Sequence, residues 1–215
     1  LGGEEVRPAP TPVETAPALR TQFVEPVPPV VSQPTSVKPS QDPVSGVRVL
    51  GPSLPYEDGS EERILGILEG AADRSSRSDE LAAQIRDWPS RYHLSRHRGC
   101  LLQPFAVGPG QRVLEVGAGM GAITRYLGET GAEVVALEGS LARARAAAMR
   151  CAGLVNVEVV CGTLEQLSDD HGFDLVVAVG VLEYAAAAAG GKSSPERFLE
   201  LAGSFLRPGG ALILA

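Results

Sequence analysis

Val113-Leu114-Glu115-Val116-Gly117-Ala118-Gly119-Met120-Gly121-Ala122 decides how the rest of the chain is read. An apolar run starting at Arg112 ends in three closely spaced glycines, and residues 120–130 then carry Ile123 and Leu127 on one helical face. A strand, a glycine turn and a helix in that order open a βαβ unit. The pattern continues downstream. Residues 133–138, 157–161, 173–179 and 211–215 read as further strands. Helices fit 140–151, capped by Ser140 and closed by Gly153, and 196–206. Strands that are apolar throughout and alternate with helices belong to a parallel sheet covered on both faces. Right-handed crossovers make such a sheet doubly wound.

Upstream the composition changes. Residues 1–55 hold twelve of the seventeen prolines. Proline fixes φ and removes a backbone donor, so this segment is expected to be a disordered linker with no central strand. Pro26-Val27-Pro28-Pro29 within it fits a PxxP ligand, although a plain spacer accounts for the same composition. Residues 56–110 are expected to form a helical cap segment. Helices are expected over 61–74 (N-cap Ser60), 79–88 (N-cap Ser78) and 95–103, with Pro89 as a break. Residues 111–215 form the core, and the final Ala211–Ala215 reads as a strand cut off part-way, so the sheet is expected to be truncated after its fifth strand.

A net charge of −7 argues against a dedicated nucleic-acid surface, with Arg91, Arg96 and Arg98 as a small basic exception. Three cysteines without a CxxC pair exclude the usual metal spacing and a disulfide framework, so no metal is expected and reduced thiols in a cytoplasmic protein are. No apolar run reaches membrane-spanning length.

In a doubly wound sheet, ligands sit outside the carboxyl ends of the strands. That rule selects the glycine loop 117–121, Glu138 at the end of the second core strand, and the residues following the later strands. Taken alone, the loop also satisfies the dinucleotide pattern G-x-G-x-x-G/A, and Glu138 suits the ribose of either kind of cofactor. Glu115 separates the two readings. A carboxylate two residues before the first glycine opposes phosphates and suits a ligand carrying an ammonium.

The stretch 113–121 resembles motif I of the class I S-adenosylmethionine-dependent methyltransferases. The resemblance continues through Glu138, Phe173-Asp174-Leu175-Val176-Val177, Val181-Leu182-Glu183-Tyr184 and Leu206-Arg207-Pro208-Gly209-Gly210, covering roughly residues 88–215. It implies a Rossmann-like α/β fold, normally of seven strands, with S-adenosyl-L-methionine as cofactor. Gly117, Ala118, Gly119 and Gly121 would cradle the methionine part, Glu115 its ammonium and Glu138 the ribose hydroxyls. Gly139, Thr163, Leu164 and Gly180 would complete the rim. Many relatives carry Asp where this chain has Thr163, which puts a side-chain contact to the adenine amino group in doubt, with Glu165 as the substitute.

Glu183, Tyr184 and His93 are the substrate-side candidates. His97 shares the cap segment with His93, while His171 precedes a strand and so lies at the wrong end of the sheet. The Asn/Asp-Pro-Pro-aromatic motif of base-nitrogen methylation is absent after the fourth core strand, which disfavours that acceptor. Resemblance to methyltransferase modules of bacterial surface-sugar enzymes implies a saccharide or other small-molecule acceptor, and other domains in a larger chain. Two further readings stay open: a non-catalytic cofactor-binding or scaffold module, and an NAD(P)-dependent oxidoreductase.

Overall fold

Arg112–Val116 alternates its side chains between two apolar layers, and the whole molecule is organised by that alternation. The computed structural model describes residues 38–182 and 194–215. Its strands are β1 (Ser40–Gln41), β2 (Arg48–Val49), β3 (Arg112–Val116), β4 (Glu133–Glu138), β5 (Val157–Cys161), β6 (Phe173–Ala178) and β7 (Leu206–Leu214). They form one sheet in the order β1-β2-β5-β4-β3-β6-β7, with only β1 antiparallel to its neighbour.

The helices are α1 (Glu61–Gly70), α2 (Asp79–Ala82), α3 (Trp88–Leu94), α4 (Ala122–Glu129), α5 (Leu141–Arg150) and α6 (Pro195–Ser204). Val113, Leu175 and Val177 pack with Ile123, Leu127, Ala144 and Ala147 on the α4–α5 face. Leu114, Val116 and Val176 pack with Phe198, Leu201 and Phe205 on the α6 face. A third cluster joins Ile64, Leu68, Leu81 and Leu94 of the cap to Met120 and Ala146, so the cap rests on the glycine loop and on α5. β3 sits where the strand order reverses. From it the chain runs through β4 to β5 on one side and through β6 to β7 on the other. The crevice at its carboxyl end is therefore the topological switch point, where ligands of such sheets bind.

The sheet is Rossmann-like, as expected, and among the described residues it has seven strands, two more than the five read from the core segment. The two extra strands come from the segment expected to be a linker. Residues 42–47 turn through Gly46, and Asp42 accepts hydrogen bonds from the Ser45 amide and hydroxyl. Arg145 of α5 grips the same carboxylate at 2.6 and 3.1 Å. Arg48 pairs with Glu158 on β5 at 2.7 Å. Two-residue strands tolerate flanking prolines, since Pro39 and Pro43 lie outside the paired residues. The composition rule thus fails for residues 38–55. Residues 1–37, with the PxxP motif, lie outside the described residues.

The cap helices also differ from expectation. α1 ends at Gly70 and α2 at Ala82. Ser60 holds the N-cap position of α1 without a side-chain cap bond, its hydroxyl donating instead to Asp58. Pro89 starts a helix and does not break one. It occupies the first turn of α3, where the missing N–H costs nothing, behind an Asp87–Ser90 capping box. Residues 98–102 form a 3₁₀ turn. None of the helices among the described residues is long and apolar enough to cross a membrane.

Candidate active site at the carboxyl end of the central strands

The glycine loop is fixed by what its backbone does. Gly117 and Ala118 both donate to the Leu137 carbonyl, at 2.8 and 3.0 Å, and Gly119 donates to a Glu138 carboxylate oxygen at 2.7 Å. The loop therefore faces the cleft mainly with Cα and carbonyl edges. Gly121 has φ of 78° at the N-cap of α4, and a Cβ there would stand 2.9 Å from the Ala147 Cα. Only glycine allows both that turn and that helix–helix contact.

Two carboxylates flank the loop. Glu115 is buried on the α4 side of β3, and the Thr124 hydroxyl donates to it at 2.6 Å. Burial pushes its carboxyl up to about 8, and the nearby Glu138 charge adds to that, while Thr124 and the charge of Arg98 partly counter it. Glu138 is also buried and also raised, with burial the largest cause. The amides of Ser140 (2.9 Å) and Gly119 oppose the shift. A buried carboxylate with one hydroxyl donor and no ion pair among the described residues is an energetically incomplete group, and a cation completes it.

The remaining rim residues are where the topology requires. Leu50 donates its amide to the Cys161 carbonyl and Leu54 donates to that of Gly139, so residues 50–54 run along the carboxyl ends of β4 and β5. Leu54 packs directly on Gly139, and Leu50 on Gly162. Thr163 and Gln166 form a capping box around the 3₁₀ turn Leu164–Gln166, and Leu164 is buried. Glu165 is exposed. Gly180 lies just past β6, its amide bonded to the Ala215 carbonyl at 2.7 Å. Glu183, Tyr184 and the alanine run lie outside the described residues.

The cap closes the cleft from above. His93 lines it together with Tyr92, Arg98, Glu115, Gly119 and Met120. The His93 imidazole is 2% exposed, and its Nε2 lies 3.4 Å from Asp58. Burial lowers its pKa to about 4 despite Asp58, so the contact is a hydrogen bond from a neutral ring and not an ion pair. His97 and His171 are exposed and stand apart from the cleft.

A charged cluster binding the cap to α5 was not expected from the sequence. Arg143 donates to Glu61 at 3.0 Å and to Asp58 at 2.8 Å, and its guanidinium lies 4.4 Å from the Tyr56 ring centroid. Burial works against its charge, but these carboxylates outweigh that and raise its pKa. The available signal was periodicity. Arg143, Ala147 and Arg150 share the buried stripe of α5, and arginines on such a stripe must find partners. Arg150 donates to the His93 carbonyl at 2.5 Å, which fastens α3 to α5.

A larger cavity of about 370 Å³ opens between the β1–β2 turn and the end of α5, lined by Ser45, Arg48, Cys151 and Glu158 among others. It faces the amino-terminal end of β5, away from both buried carboxylates. Cys151 and Cys161 are buried, and desolvation lifts their thiols to about 12 and about 11. Among the described residues no cluster of metal-ligating side chains occurs.

Residues 114–214 match the family described as a methyltransferase domain. A ubiquinone biosynthesis O-methyltransferase of Bradyrhizobium sp. (strain ORS 278) is 27% identical over 107 residues, or 49% of this chain and 40% of the relative. The chain thus spans well under half of that protein's length. Among solved structures, a methyltransferase of Geobacter sulfurreducens in complex with S-adenosyl-L-homocysteine is 21% identical, with a TM-score of 0.43 over 75% of this chain and 55% of that one. One from Aquifex aeolicus is 25% identical, with a TM-score of 0.47 over 60% and 67%. The family match runs from the middle of β3 to the end of β7, the stretch that gathers the glycine loop, Glu115 and Glu138 at the switch point, so this part of the chain is similar to a methyltransferase domain.

Proposed function

We propose that the cleft binds S-adenosyl-L-methionine and that the chain transfers its methyl group to a small-molecule acceptor. The observation that carries this reading is the pair of buried carboxylates on either side of the glycine loop. Glu115 makes no ion pair among the described residues, its one side-chain partner there being the Thr124 hydroxyl, and the ligand's ammonium would supply one. Each Glu138 oxygen accepts one backbone amide and keeps a second acceptor site for a ribose hydroxyl. A dinucleotide offers Glu115 no ammonium, and its phosphates would oppose ionisation of both carboxyls.

When bound, the cofactor supplies a methyl group already activated on a sulfonium. The protein's part is to hold, align and dry the site. Glu115 and Glu138 fix the two ends, Gly139, Thr163 and Leu164 edge the base, and Leu54 walls it. Tyr92 and His93 exclude water from above. A small space of about 20 Å³ lies between Tyr92, His93 and Arg98 of the cap and Glu115 with the glycine loop.

The relative from Bradyrhizobium is named for O-methylation, so hydroxyl-bearing acceptors come first in any screen. The saccharide reading is the finer proposal and is supported only by the resemblance to surface-sugar enzymes. Glu183, Tyr184 and His93 are the residues proposed to meet the acceptor. The test is calorimetric titration of the chain with S-adenosylhomocysteine and, in parallel, NAD, followed by transfer of labelled methyl groups to a hydroxyl and sugar panel. Saturable binding of the first ligand alone is expected. NAD binding, or a folded chain that binds neither, would overturn the reading.

A further inference from the structure

We infer that the outward face of the cap, around Trp88, Arg91, Leu101 and Phe105, docks the protein on an anionic lipid surface, with the mouth of the cleft beside the bilayer. The inference goes beyond the function proposed above and does not depend on the cofactor.

Two short elements carry this face. In α3, Ser90, His93 and Leu94 are buried, which leaves Trp88, Arg91 and the half-buried Tyr92 on the opposite side. Trp88 is 74% exposed. In the 3₁₀ turn 98–102, Gly99 and Leu102 are buried, and the three-residue period sets Arg98 and Leu101 on one side. The Arg98 guanidinium lies 4.0 Å from the Tyr92 ring centroid, which joins the two surfaces into one. Phe105 follows, its amide donating to the Leu102 carbonyl at 3.0 Å, and it is exposed like Leu101. Tyr92 and Arg98 also line the cleft, so the face borders its mouth.

Packing holds the apolar residues outside. A Cβ on Gly99 would stand 2.6 Å from the Tyr126 ring of α4, and Leu102 is fully buried in the core. The turn is therefore seated on α4 by Gly99 and Leu102, and it cannot roll to bury Leu101 without losing that seat.

Charge selects the partner. The chain has a net charge of −7, yet residues 86–106 hold four arginines and a single acid, Asp87. Asp87 is already engaged by Arg63, and Arg96 is engaged by Asp79. Arg86 and Arg91 are exposed and make no ion pair among the described residues. Free arginines interleaved with exposed tryptophan, leucine and phenylalanine match the boundary between headgroups and acyl chains, where guanidinium groups meet phosphates and apolar tips enter between them. An acidic protein would have to offer a separate pocket to each apolar tip, whereas a fluid boundary moulds itself to all three. With α3 only seven residues long, the contact is a patch and not a helix lying in the interface, so attachment is reversible.

Trp88 is the only tryptophan, so its fluorescence reports this face alone. The experiment titrates the full chain, without cofactor, with vesicles of phosphatidylcholine alone and with vesicles in which about a third of the lipid is phosphatidylglycerol, following flotation and Trp88 emission. Anionic vesicles are expected to bind at least about tenfold more tightly than neutral ones, with emission moving to shorter wavelength and binding weakening as salt rises. Arg91→Glu should weaken that binding about tenfold. Arg197→Glu makes the same charge change on α6, across the sheet from the cap, and should alter binding by less than about twofold. Failure of wild type to bind anionic vesicles overturns the inference. Binding with unmoved Trp88 emission also overturns it, since another face would then dock. Equal losses in Arg91→Glu and Arg197→Glu overturn it in favour of net charge. An emission shift that follows protein concentration without vesicles overturns it and assigns the face to a second copy of the chain. Each of these outcomes leaves the proposed function as it stands.

Discussion

The Glu138 carboxylate accepts a hydrogen bond from the Gly119 amide at 2.7 Å, tying the end of β4 to the middle of the glycine loop. Its other oxygen accepts from the Ser140 amide at the start of α5. The residue proposed to hold the ribose therefore also shapes the loop that receives the rest of the ligand. Glu138→Ala should weaken S-adenosylhomocysteine binding by about 1.5–3 kcal/mol, the scale of hydrogen bonds to a charged group. Calorimetry checks this, and unchanged affinity in a folded variant would mean that the pocket is misassigned.

Glu115 makes binding and stability respond to pH in opposite ways. Its folded pKa of about 8 exceeds the ordinary 4.5. The folded state thus favours the protonated acid. The stability this group contributes is full below pH 4.5, declines as pH rises toward 8, and levels off beyond. Glu115→Gln should remove that slope and stabilise the ligand-free protein at pH 8 by about 2 kcal/mol, measured by urea denaturation at several pH values. Ligand binding needs the carboxylate, so wild-type affinity should climb between pH 6 and 8 with release of a proton, and Glu115→Gln should bind weakly and without that slope. Calorimetry in buffers of different ionisation enthalpy counts the proton.

Gly121 and Gly153 offer a controlled comparison. Both have positive φ, 78° and 88°, but a Cβ on Gly121 meets the Ala147 backbone at 2.9 Å whereas one on Gly153 meets nothing within 4 Å. Gly153→Ala should cost about 1 kcal/mol from the backbone alone. Gly121→Ala should cost about 2–4 kcal/mol, because α4 and α5 must also separate. Denaturation midpoints of the two variants decide it; equal losses would remove the packing argument.

Arg143 holds the cap on α5 through Asp58 and Glu61. Arg143→Met should cost about 3 kcal/mol by leaving two carboxylates short of their partner, with Asp58 (30% exposed) moderating the loss. Hydrogen exchange should quicken in residues 56–70 before the sheet. Uniform exchange across both regions would count against a cap that opens separately.

The core strands were legible because a parallel sheet covered on both faces writes an apolar run into the sequence. Residues 133–138 and 157–161 match β4 and β5 at both ends. The glycine loop, Glu115 and Glu138 were legible through their spacing. The rest depends on contacts between distant residues. β1 and β2 are too short to carry a pattern, and their place is set by Asp42–Arg145 and Arg48–Glu158 pairs more than 100 residues apart in the chain. Arg98 looked like one of three clustered basic residues, and only the fold shows which of them found a carboxylate. Ser60 reads as a cap by residue type, but the Asp58 carboxylate accepts its hydroxyl hydrogen.

The short N-terminal hairpin has a practical meaning for anyone preparing this protein. Proline content invites trimming of a clone at residue 55, yet Leu50, Ser53 and Leu54 lie against the ends of β4 and β5, and Asp42 is clasped by α5. A clone trimmed there would lose two strands and one side of the binding rim. Poor expression or a silent binding assay from such a clone would then report on where the scissors fell, and carry no information about the ligand.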